Sequence, residues 1–111
     1  MLQSEDRIQS QLFLWHWNTY PEERMRLYHI HNTPRNKIDG ARLKAMGLVR
    51  GVSDLAFICG NGKTAYIEMK KPGGTQSPHQ KKFEAVCKAM KVDYFLVYSV
   101  EKGQEIIERL R

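Results

Sequence analysis

Asp54-Leu55-Ala56-Phe57-Ile58-Cys59 and Ala65-Tyr66-Ile67-Glu68-Met69-Lys70 are two apolar runs flanking Gly60-Asn61-Gly62-Lys63, a layout that predicts a β-hairpin. Side chains alternate along a strand, so Tyr66, Glu68 and Lys70 share one face while Ala65, Ile67 and Met69 share the other. Asp54, Ala56 and Ile58 likewise lie together. Register decides whether Asp54 meets Glu68. A two-residue Asn61-Gly62 turn would oppose Leu55 to Glu68 and send Asp54 to the wrong face, because a slip of one residue inverts every side chain. A three-residue loop, Gly60 to Gly62, opposes Asp54 to Glu68, and its two glycines suit the positive φ such a loop needs.

Directly opposed residues have Cβ atoms roughly 4.5 to 5.5 Å apart, so two carboxylates there repel unless a positive charge lies between them. A hard divalent cation is the natural occupant, since it takes carboxylate, water and phosphate oxygens. Lys70 would stand beside it, placed to orient a water or neutralise charge developing on a phosphate. The plainer reading is a solvated polar strand face.

Gly51-Val52-Ser53-Asp54, then Tyr66-Ile67-Glu68-Met69-Lys70, then Gln80 resembles the PD-(D/E)XK nuclease superfamily and, within it, a stand-alone VRR-NUC domain. Ser53 stands where the motif has proline. The resemblance extends from Glu5 to the last strand and implies a restriction-endonuclease-like core, with a mixed central β-sheet flanked by helices in the order αβββαβ. It also implies a Mg²⁺- or Mn²⁺-dependent endonuclease acting on DNA phosphodiesters, similar to Holliday-junction resolvases. On this resemblance Asp54 and Glu68 hold the metal with the Met69 carbonyl and Glu5, and Lys70 and Gln80 act on the water or phosphate. By their own chemistry Glu5 suits the first turn of a helix and Gln80 completes a capping box with Ser77.

With 111 residues the chain is expected to form one domain, residues 1–111. Its 18 Lys and Arg against 12 Asp and Glu give a formal charge of +6, an excess that favours nucleic acid through phosphate contacts. The most basic stretch, Asn32 to Arg50, leads directly into Asp54 and offers Arg35, Lys37, Arg42, Lys44 and Arg50 as DNA contacts. Lys71 and Lys81 join them from beyond the hairpin. Gly51 would let the backbone approach substrate or turn sharply.

Two cysteines, Cys59 and Cys87, are too few and too far apart for a metal cluster and are expected to be reduced core residues. His29 and His31 share a strand face, but no third ligand at zinc spacing accompanies them. No run approaches the ~20 apolar residues of a membrane span. Met1 to Asp6 is unlike a signal peptide, so a cytoplasmic protein is expected.

Elements predicted around the hairpin are a helix from about Glu5 to Trp17 with Ile8, Leu12 and Trp15 inward, a strand over Arg26–His31, and a short helix over 39 to 46. A helix from Ser77 would bury Phe83, Val86, Cys87 and Met90. A strand over Asp93–Tyr98, apolar enough to be covered on both faces, leads to a final helix at 101 to 111. A chain this short would grip a long duplex poorly, so a homodimer with two sites, suited to branched DNA such as a four-way junction, is expected. Trp17 and Tyr20 are possible contacts. Flap, nick or RNA specificity and a non-catalytic basic DNA-binding module are the rival readings.

Overall fold

The computed structural model describes residues 4–111; the leader reading rests partly on Met1, Leu2 and Gln3, which lie outside them. Helix α1 (Glu5–Thr19) is capped by Ser4, whose Oγ accepts from the Arg7 amide, and Glu5 and Asp6 lie in its first turn. A short 3₁₀ turn (Pro21–Glu23) leads into strand β1 (Leu27–His29), shorter than predicted, and then α2 (Lys37–Ala45). Helix α2 starts two residues earlier than the predicted 39 because Asn36 caps it, accepting from the Asp39 amide. Strands β2 (Leu55–Ile58) and β3 (Thr64–Met69) form the hairpin, followed by α3 (Pro78–Ala89), β4 (Asp93–Val97) and α4 (Val100–Leu110).

One four-stranded sheet runs in the order β1-β2-β3-β4, antiparallel except for the last pair. Because β3 and β4 are parallel, α3 is the crossover between them. This is the mixed sheet with flanking helices that the sequence predicts. The hairpin register also agrees: Leu55 pairs with Ile67 and Ile58 with Thr64. Beyond Ile58 the Cys59 amide bonds the Lys63 carbonyl at 2.8 Å, leaving Gly60 to Gly62 as the loop.

One sheet face is closed. Leu55, Phe57, Ala65, Ile67, Met69 and Val97 pack there against Ile8 and Leu12 of α1 and Ile106 and Ile107 of α4. The α1 stripe continues to His16, 1% exposed, and not to the predicted Trp15, which is only partly buried against the core. Gly103 allows α4 to approach, since a Cβ there would lie 2.7 Å from a Leu12 methyl.

The other face is only partly covered. Phe83 of α3 meets Tyr66 and Tyr94 edge-on, at 5.1 and 6.0 Å between ring centroids, and Cys87 is buried. Val86 and Met90, expected inside, are 58% and 70% exposed. Strand β4 also departs from expectation: Tyr94, Phe95 and Leu96 are half-buried. It is an edge strand, and a single helix cannot cover both its outer side and its α3 face.

Candidate active site

Asp54 and Glu68 come together at the end of the hairpin away from its loop. Extending the β2–β3 ladder by one residue sets them opposite each other. There β2 leaves the sheet, and the Asp54 carboxylate takes up the ladder's next donor: its Oδ2 accepts from the Met69 amide at 2.8 Å. The Met69 carbonyl points to the same side of the strand as its amide, towards Asp54. The backbone of Asp54 is held from β1. Its carbonyl accepts from the Ile30 amide at 2.8 Å and lies 2.9 Å from His29 Nδ1, which is also 2.9 Å from Gln9 Nε2.

Glu68 is 2% exposed. One oxygen, Oε2, accepts from Gln80 Nε2 at 3.3 Å, whereas Oε1 has no partner. Burial, and then the hydrogen bond and charge of Asp54, push its carboxyl up to about 9, against the opposing pull of the Lys70 ammonium. Lys70 is itself 8% exposed. A buried acid beside a second acid, with one oxygen unsatisfied, is an unfavourable arrangement for a stable interior. A hard cation would relieve it, and the donors present fit one: two carboxylates and a backbone carbonyl.

Gln80 has two jobs at once. Its Oε1 accepts from the Ser77 amide at 2.8 Å while Ser77 Oγ accepts from the Gln80 amide, closing the capping box at the start of α3. The same side chain's Nε2 faces Glu68. Helix α3 is held at this position by Gly51, which has φ +92 and whose Cβ would fall 2.2 Å from the His79 carbonyl oxygen. Any other residue there would push the loop off the helix. Ser53, fully buried, donates its hydroxyl to the Leu55 carbonyl at 3.0 Å, so the hydroxyl it brings where the motif has proline is satisfied.

Glu5 lies near enough for its charge to raise Glu68 slightly. It does not complete a cluster, since no three His, Cys, Asp or Glu residues are grouped to hold a metal among the described residues. His29 and His31 have ring centroids 6.5 Å apart and likewise gather no third ligand among those residues. Arg35 and Arg42 both bind buried Asp39, at 3.6 and 2.9 Å, and its carboxyl is held below its usual range first by the Arg35 amide and then by the Arg42 and Arg35 guanidinium groups. Lys37, Lys44, Arg50, Lys71 and Lys81 are exposed. Sequence reasoning missed Gln9 and the bracing role of His29, because nothing local marks a contact between a helix and a strand twenty residues apart.

No protein-family model and no curated protein matches the chain. Among solved structures, a "VRR_NUC domain protein" is similar over 99% of this chain and 89% of its own, with a TM-score of 0.74 at 17% identity. No helix among the described residues is long and apolar enough to cross a membrane. The chain has the restriction-endonuclease-like α/β fold of that VRR_NUC domain protein.

Proposed function

We propose that the protein is an endonuclease that hydrolyses DNA phosphodiesters with Mg²⁺ or Mn²⁺. The observation that carries this reading is the unpartnered, buried Oε1 of Glu68 beside the Asp54 carboxylate. Asp54, Glu68 and the Met69 carbonyl would hold the cation, with Glu5 at the margin. When bound, it supplies charge to polarise a phosphate and acidify a water. Lys70 extends from the same strand face as Glu68 and offers an ammonium to the phosphate oxygens and the attacking water. Gln80 fixes the Glu68 carboxylate by one oxygen and leaves the other free to ligate. The exposed bases Lys37, Lys44, Arg50, Lys71 and Lys81, with Arg35 and Arg42 preset by Asp39, would contact the DNA backbone.

The finer reading is a homodimer cutting branched DNA, a four-way junction first among them. Leu14, Met25 and Tyr28 are 54%, 81% and 45% exposed beside the free edge of β1, which is a reasonable surface for a second copy. Cleavage of matched junction, flap and linear DNA with each metal, by wild type and by Glu68→Gln, tests the proposal. Wild type should cut the junction fastest. The variant should lose about 100- to 1000-fold in rate, of the order seen when a charge-stabilising group is removed. Equal cutting by the variant would refute the site, and sedimentation as a monomer at micromolar concentration would refute the dimer.

A further inference from the structure

Between the Asn32–Val52 segment and α3 lies a groove of about 1200 Å³, larger than the ~300–1,000 Å³ of most small-ligand sites. Its α3 wall is one helical stripe, His79, Lys82, Phe83 and Val86. Its opposite wall includes Lys44, at the end of α2, and Val49 and Arg50, carried on the loop between Gly47 and Gly51, both at positive φ. The charges are of one sign: Lys44, Arg50 and Lys82 contribute, and no acid lines the groove. Between them the surface is apolar, with Val49 and Val86 60% and 58% exposed. Phe83 is held rigid from below by Tyr66 and Tyr94.

The groove also adjoins the carboxylate pair. Gly51 rests on the His79 carbonyl, and the next residue, Gln80, bonds Glu68. Basic side chains around an apolar strip suit a nucleotide whose base is out of the duplex. Its flat face needs apolar contact, and its phosphates need Lys and Arg.

Resting on the nuclease reading above, we propose that this groove seats an unpaired nucleotide of the DNA strand next to the phosphate to be cut. Val49, Phe83 and Val86 contact the base, and Lys44, Arg50 and Lys82 contact its flanking phosphates. A continuous duplex cannot place a base there, so the groove selects substrates in which a branch point or an unpaired position lets one base leave the stack, the crossover of a junction included.

The test is a titration in EDTA of a duplex with a single unpaired 2-aminopurine against the same duplex fully paired, using wild type, Val86→Asp and Lys82→Glu. Wild type should prefer the unpaired duplex at least tenfold, and the fluorophore should respond. Both variants should bring that ratio to about one. Val86 and Lys82 are exposed, and melting curves like that of wild type verify folding. A tenfold preference retained in both variants overturns the proposal. So does a change in sedimentation without a change in the ratio, which would give the groove to a second copy of the chain. Deoxyadenosine monophosphate should displace the duplex only at concentrations over 100-fold higher; displacement at equal concentration would overturn the assignment to a DNA strand. Because the ratio is read without divalent metal, absence of Mn²⁺-dependent cleavage would strike the nuclease reading and leave this result standing.

Discussion

Glu23 and Glu68 are both withdrawn from water, at 6% and 2% exposure, yet their surroundings move their carboxyl groups in opposite directions. Burial alone would raise Glu23, but hydrogen bonds from Arg111 and His16 and the nearby Arg26 outweigh it and leave the group lowered. Its Oε2 lies 2.8 Å from an Arg111 guanidinium nitrogen and 3.5 Å from Arg26, and its Oε1 3.1 Å from His16. Glu68 has one amide from Gln80, a second acid that hydrogen-bonds and repels it, and an oxygen, Oε1, that accepts from no donor. A buried acid with every oxygen answered holds a fold together. A buried acid with an oxygen left over keeps a donor atom available, as the proposed metal site requires.

The difference is widest in the pH dependence of the metal-free protein. Glu68 has a folded pKa raised to about 9, so the folded state keeps a proton that the unfolded chain releases near the ordinary carboxylate value. Stability is therefore full below that ordinary value and drains away as pH rises towards 9. Between pH 5 and 8 the loss is on the order of 4 kcal/mol. Urea titrations should show it in wild type without metal, and Glu68→Gln should flatten it. A pH-independent wild type would mean that Glu68 is ionised in the fold.

Glu23→Gln should act in the reverse sense, leaving Arg111 and Arg26 without their partner and costing about 3 kcal/mol at pH 7. Glu23 has a lowered pKa, so its contribution is present above the ordinary carboxylate value and is lost as pH falls below it. Mn²⁺ affinity measured by calorimetry should be unchanged in this variant, whereas Glu68→Gln should abolish it. The smallest effect is expected at Ser53, whose hydroxyl meets only the Leu55 carbonyl: Ser53→Ala should cost about 1 kcal/mol in urea and leave cleavage intact.

Much of the site end could be read in the sequence because its cues are local. Two glycines in Gly60-Asn61-Gly62 set the loop, the loop sets the register, and the register brings Asp54 to Glu68. Ser77 and Gln80 announce their own capping box. The other buried cluster was invisible for the opposite reason: His16, Glu23 and Arg111 come from three elements, and the last two are 88 residues apart. Strand β4 and the Val86 and Met90 positions were misjudged because an apolar side chain specifies a preference for cover without specifying whether a neighbour supplies it.

Helix α3 is the crossover that lets β4 pair in parallel beside β3, and it carries Gln80 on its first turn. On a hairpin not yet covered by α3, Glu68 would be hydrated, with only its neighbour Asp54 to raise its carboxyl. Docking α3 withdraws it from solvent and raises the carboxyl further, which favours uptake of a proton as the crossover closes. Completing the sheet is in this sense an acid–base reaction, and its rate in a metal-free refolding experiment should carry the signature of a proton consumed.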